Sequence, residues 1–150
     1  MKKSWLKHGT KGLSKVGKSD VSKTKQRIQK LLTAIARQRD GGCIFRNYSH
    51  TGECSGYTAA DHIISRQFSA TYGDTRNVIC LCTRHHIYWK PQNPTLYVEI
   101  VKDYLGVKTW EWIERAQRDR KTYPFSLSDW LKVEIGLKQE LAELTPRQEI

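Results

Sequence analysis

Ala60-Asp61-His62-Ile63-Ile64 and, beyond a loop containing Gly73, Asn77-Val78-Ile79-Cys80-Leu81-Cys82-Thr83-Arg84-His85-His86 predict two strands followed by a helix. An acid beside a histidine lies on the first strand, and an asparagine opens the second, which runs into Cys-x-x-His-His. Taken singly these residues mean little. An Asp-His pair is most often a surface or capped pair, and Asn77 alone reads as a turn residue that tolerates left-handed backbone. His85 and His86 are more informative. On a helix, neighbouring side chains diverge by roughly 100°, so the two imidazoles cannot serve one ion and imply two sites.

The cysteines supply one of those sites. Met1 to Lys18 lacks the apolar stretch and small-residue cleavage site of a secretory signal, and no apolar run is long enough to cross a bilayer. A cytoplasmic, reducing setting is therefore expected, where thiols meet metals more often than they form disulfides. Cys43, Cys54, Cys82 and His85 make a set suited to tetrahedral zinc. Cys82-x-x-His85 has knuckle-like spacing, but ten residues separate Cys43 from Cys54, so the first half needs an enlarged loop. His50 and Cys80 are alternative ligands. Strand alternation favours Cys80 as a core side chain.

The Asp61-His62, Asn77 and Cys82-x-x-His85-His86 constellation resembles the HNH endonuclease family over about residues 43 to 90. The resemblance implies a ββα-metal finger with His62 as general base, Asn77 as the residue orienting it, and Asp61 with His86 as ligands of a catalytic Mg²⁺ or Mn²⁺. It also assigns His85 to the zinc and His86 to the catalytic ion. Members with this zinc usually carry a first Cys-x-x-Cys, from which this chain departs. The chemistry is coherent by itself: a neutral imidazole titrates near neutral pH and can take a proton from water. A hard ion held by few protein ligands keeps positions open for phosphate oxygens. A looser likeness in order and spacing, over about residues 28 to 115, is to the phage NinG (Rap) recombination endonucleases, which act on branched DNA; it implies a bacterial-host cytoplasm as the setting.

The flanks suit a polyanionic partner. The formal charge is +11, and among the first thirty residues Lys2, Lys3, Lys7, Lys11, Lys15, Lys18, Lys23, Lys25, Arg27 and Lys30 face only Asp20. Residues 1–21 read as a flexible basic arm, with Trp5, Leu6 and Leu13 as its apolar points. Ile28, Leu31, Leu32 and Ile35 then mark one face of a helix from Ser22 to Arg39, stopped by Gly41 and Gly42. Asn93 and Pro94 open a further helix bearing Tyr97, Ile100, Val101 and Tyr104, which Gly106 ends. Another starts near Thr109 with Trp110 and Ile113, and a third follows from Ser128. The third bears Trp130, Val133, Leu137, Leu141 and Leu144, behind a capping box from Ser126 and Asp129. That stripe packs on the core or, alternatively, pairs two copies into a homodimer. Residues 145–150 read as a frayed end.

The expected architecture is α+β: a small zinc-containing ββα-metal core with its leading helix over 22–92, and a helical extension over 93–150. The expected partner is DNA, duplex or branched, held by arm and core, with no membrane. The rival expectation is a non-catalytic zinc module that binds nucleic acid through the same basic surface.

Overall fold

The apolar face of the first helix organises everything around it. In the computed structural model, which describes residues 18–120 and 123–146, α1 spans Lys18–Asp40. Ile28, Leu32, Ile35 and Ala36 are fully buried along it, each large one contributing about 1.5–3 kcal/mol by leaving water. The helix begins before the expected Ser22. Val21 packs against the same core and Thr24 Oγ1 donates to the Asp20 carbonyl at 2.8 Å, so Lys18 to Val21 belong to α1 rather than to the arm. The remainder of the arm, with Trp5, Leu6 and Leu13, lies outside the described residues, as do residues 147–150 of the expected frayed end. Gly41 and Gly42, both at positive φ, end α1 as expected.

Two five-residue strands, β1 (Thr58–His62) and β2 (Val78–Cys82), pair antiparallel with Asp61 opposite Ile79. A two-stranded sheet is marginal alone because its outer backbone groups lack partners. Here α1 supplies them. Thr33 Oγ1 accepts from Ala60 N at 3.1 Å, Gln29 donates to the Ala60 carbonyl, and Arg37 donates to Thr58. On the other edge the buried Asp40 carboxylate accepts from Cys80 N at 2.8 Å, from Arg39 and from the Tyr104 hydroxyl.

β2 alternates between two cores. Val78 and Cys80 face α1, whereas Ile79 and Leu81 face Phe45, Tyr97, Ile100 and Val101. After the short helix α2 (Ser69–Tyr72), a π-helical turn Arg84–Trp89 runs on into α3 (Lys90–Gln92). Next come α4 (Pro94–Arg118) and α5 (Leu127–Leu144). Gly106, at φ 77°, breaks α4 where expected, and helix resumes directly after it. The Ser126–Asp129 capping box forms with both of its hydrogen bonds. Trp130 and Leu137 of α5 are buried against α1, with Val133 and Leu141 beside them. These four positions of the stripe thus pack within the chain, while Leu144 is exposed. Val133 comes so close to the backbone of Gly73 that a Cβ there would lie 2.2 Å from Cγ1, which seats the β1–β2 loop on α5. No helix among the described residues is long and apolar enough to cross a membrane.

α1 and α5 are also clamped by Glu134, whose carboxylate accepts from Arg27 at 2.9 and 3.0 Å and pairs with Lys138 at 3.1 Å. The Arg27 hydrogen bond is the main reason its pKa falls from 4.5 to about 2. A depressed carboxyl pKa stabilises the fold above the unfolded value and loses that effect as pH falls through the folded one. Glu134→Gln should therefore melt below wild type at pH 7, with the gap closing between pH 4.5 and about 2; a pH series of thermal melts checks this.

Candidate functional site

Cys82 ends β2 and His85 sits three residues on, in the first turn of the following helix, so the strand-to-helix corner aims both inward. Cys43, just after α1, and Cys54 meet them there, and the ligand atoms of all four lie within 4.8 Å of one another. His85 Nδ1 is 3.0 Å from Cys82 Sγ, 3.5 Å from Cys43 Sγ and 3.7 Å from Cys54 Sγ. Tetrahedral zinc with Zn–S of about 2.3 Å and Zn–N of about 2.0 Å spaces its ligands by roughly 3.5 Å, so the group fits such an ion. The other ring nitrogen, Nε2, donates to the Thr51 carbonyl at 3.1 Å, which leaves the Nδ1 lone pair for the metal. This Cys₃His group can hold a metal such as zinc.

The thiols themselves call for a cation. Burial pushes the Cys43 thiol up, and burial with the neighbouring Cys43 pushes Cys54 up to about 12. Burial also opposes ionisation of Cys82, but hydrogen bonds from the backbone N–H groups of His85 and Ser55 outweigh it and lower that thiol. A bound dication would stabilise the thiolate forms that burial disfavours at Cys43 and Cys54. The enlarged loop between Cys43 and Cys54 is held by its own 3₁₀ turns, Ile44–Asn47 and Ser49–Thr51. Arg84 braces it, donating to the carbonyls of Thr51 at 3.0 Å and Glu53 at 2.8 Å. His50 is exposed and stacks edge-on with Tyr48, and Cys80 is in the α1 core; neither belongs to the group.

A second cluster lies along the outer edge of β1. Asp61 and His62 are adjacent on the strand, along which side chains alternate in direction. Both line one cleft of about 270 Å³ with Gln29, Ser65, Arg66, His86 and Lys90. The Asp61 carboxylate is 98% shielded at its side chain. His86 Nε2 is 3.1 Å from its Oδ1, Lys90 Nζ is 2.8 Å from each oxygen, and the Tyr97 hydroxyl donates to Oδ2. Burial alone would raise this carboxyl, but the His86 hydrogen bond, the Lys90 charge and Tyr97 together hold it below its ordinary value. The Asp61–His86 spacing is that of a direct hydrogen bond.

His62 Nε2 lies 2.8 Å from the Tyr72 carbonyl. The carbonyl can only accept, so Nε2 carries the proton and Nδ1 keeps its lone pair. Burial lowers the pKa of this imidazole and favours its neutral form. The Asn77 side chain makes no hydrogen bond to His62. It is fully buried just before β2, where its Oδ1 accepts from Ile64 N at 2.7 Å and its Nδ2 donates to the carbonyls of Ile64 at 3.1 Å and Thr71 at 3.0 Å. It therefore staples the two ends of the loop that presents the Tyr72 carbonyl, and any hold on His62 passes through that backbone. Asn77→Ala would leave buried groups unpaired, at about 1–3 kcal/mol each. We expect denaturant unfolding to report a loss of that order or larger, and an unchanged midpoint would contradict the staple.

Tyr97 and Lys90 are the site residues that sequence reasoning missed. Tyr97 read as one apolar position on a helix face, and nothing in the spacing of Lys90 shows that it reaches Asp61. Among the basic residues near the two strands, Arg84 is committed to the Cys43–Cys54 loop. Arg76 pairs with Asp74 at 2.6 Å and stacks on Trp112, whereas Arg66 and Lys90 line the cleft. The acidic residue next to a histidine was a visible signal; the groups that surround it were not.

No family model matches the sequence, and neither a curated protein nor a solved structure matches the chain.

Proposed function

We propose that this protein is a metal-dependent endonuclease of the HNH type that hydrolyses DNA phosphodiester bonds. The observation that carries the reading is the second cluster: a carboxylate and an imidazole 3.1 Å apart, with a neutral histidine on the same cleft, none of them used by the Cys₃His group. In this reading β1, β2 and the helix from Arg84 form the ββα-metal core. The Cys₃His group, holding zinc, supports it, and His85 and His86 divide between the two metals.

Asp61 and His86 would hold Mg²⁺ or Mn²⁺, which when bound supplies Lewis-acid stabilisation of charge on the phosphate and on the departing oxygen. His62 takes a proton on Nδ1 from a water in the cleft as the water oxygen attacks phosphorus. The bond from phosphorus to the 3′ oxygen breaks and that oxygen takes a proton from solvent water, leaving a 5′-phosphate and a 3′-hydroxyl. Asn77 keeps the loop behind His62 in place, and Arg66 meets the phosphate backbone. The basic arm adds salt-sensitive affinity without sequence preference.

One observation favours the rival reading, a zinc module that binds nucleic acid without cutting it: Lys90 already neutralises Asp61. The deciding experiment incubates the protein with supercoiled plasmid, linear duplex and a four-way junction in Mg²⁺, Mn²⁺ or EDTA. Metal-dependent cutting supports the nuclease, and preference for the junction supports a role on branched DNA. Binding without cutting in every condition retires the enzyme in favour of the module.

A further inference from the structure

His86 and Lys90 are four residues apart on the continuous helical stretch after β2, so they lie on one face and reach the same carboxylate. Oδ1 of Asp61 takes contacts from both, at 3.1 Å from His86 and 2.8 Å from Lys90. The ammonium also engages Oδ2 at 2.8 Å and sits 4.5 Å above the ring centre of Tyr97, whose hydroxyl donates to that oxygen. Lys90 is thus a built-in counter-ion for the carboxylate that the proposed function assigns to the divalent ion. An ammonium and a dication on one carboxylate oxygen repel, so the two compete for Asp61.

We propose that Lys90 is an exchangeable cation: it occupies Asp61 until a divalent ion binds, and its released ammonium then serves the phosphate of the DNA. The inference rests on the reading of Asp61 and His86 as the divalent-ion ligands. The surroundings give the ammonium somewhere to go. Lys90 and His86 form the shared wall between the catalytic cleft and a neighbouring cavity of about 400 Å³ lined by Pro91, Pro94, Tyr97 and Val98. The side chain is 29% exposed, and its four-carbon stem can turn from Asp61 toward the cleft mouth without backbone movement. Such an exchange keeps a buried carboxylate neutralised before the ion arrives. It also brings a positive charge to the substrate only once the ion is bound.

The test is Lys90→Met, which keeps an apolar stem on Tyr97 and removes the charge, with Lys90→Arg to retain it. Mn²⁺ affinity is measured by calorimetry on zinc-loaded protein, with Asp61→Asn to mark the ion as bound in the cleft. We expect Lys90→Met to bind Mn²⁺ at least about tenfold more tightly, and to cut DNA about a hundredfold more slowly at saturating Mn²⁺. Lys90→Arg should stay near wild type in affinity. Unchanged or weaker Mn²⁺ binding by Lys90→Met overturns the exchange, even if the wild type proves to be a nuclease. Tighter binding with full turnover overturns the phosphate role. Tighter binding in a protein that never cuts supports the competition and retires the nuclease instead. Should Lys90→Met fail to fold, the Nζ resonance of Lys90 in wild-type protein titrated with Mg²⁺ decides the exchange: it shifts if the ammonium leaves Asp61, and its constancy overturns the proposal.

Discussion

Cys82→Ser should cost the protein its cooperative fold. Cys82 closes β2, and its sulfur is the nearest of the three to His85 Nδ1, at 3.0 Å. Removing it leaves a structural ion only three ligands, at the corner where strand passes into helix. A structural zinc contributes apparent binding free energy on the order of 10–16 kcal/mol, against a total stability of about 5–15 kcal/mol for an ordinary domain. Between residues 43 and 92 the chain has two five-residue strands and short turns, too little regular structure to replace a contribution of that size. The loss spreads, because Val78 and Cys80 of β2 belong to the core that α1 and α5 share. We expect one zinc per wild-type chain by elemental analysis. In Cys82→Ser, or in wild type stripped by a strong chelator, we expect loss of the near-ultraviolet dichroism and of the sharp melting transition. A variant that melts like wild type would remove the structural metal from the account, and retention of one zinc would show that Cys82 is not its ligand.

His62→Ala should lower the rate of DNA cleavage by about 10²–10⁴-fold, the usual contribution of a positioned general base. The substitution removes the imidazole that lines the cleft without a hydrogen bond to Asp61. It leaves the Cys₃His group, the Asp61–His86 pair and the basic arm in place. Zinc content, Mn²⁺ affinity and the salt dependence of DNA binding should therefore stay near wild type while turnover collapses. That separation distinguishes a catalytic loss from a folding loss, since the variant also leaves the Tyr72 carbonyl without its donor. Cleavage at the wild-type rate would end the assignment of His62 as base, and loss of DNA binding along with cleavage would point to misfolding.

Local signals in the chain were enough for the parts governed by short-range physics. The 3.6-residue spacing of Ile28, Leu32 and Ile35 located the buried face of α1, Ser126 and Asp129 located the start of α5, and Gly106 located the break in α4. The Asp61-His62 and Cys82-x-x-His85-His86 spacings separated two clusters before any fold was known, because adjacent helical side chains cannot face one point. The ligand set Cys43, Cys54, Cys82 and His85 was also legible, although its enlarged loop was not. That loop depends on Arg84 reaching back more than thirty residues to the Thr51 and Glu53 carbonyls.

What the sequence determined by itself is which residue types could carry chemistry and which helix faces are apolar, since both follow from residue type and period. Only the tertiary structure decided what surrounds those residues. Tyr97 meets Asp61 because α4 lies across β2, 36 residues away in sequence, and Asp40 ties α1 to β2 and α4 through Cys80 and Tyr104. The stripe on α5 suited the core or, alternatively, a second copy, and Trp130, Val133, Leu137 and Leu141 of it pack in the core shared with α1. Burial and charge at Asp61 come from groups that approach through space, and residue spacing along the chain carries no measure of that approach.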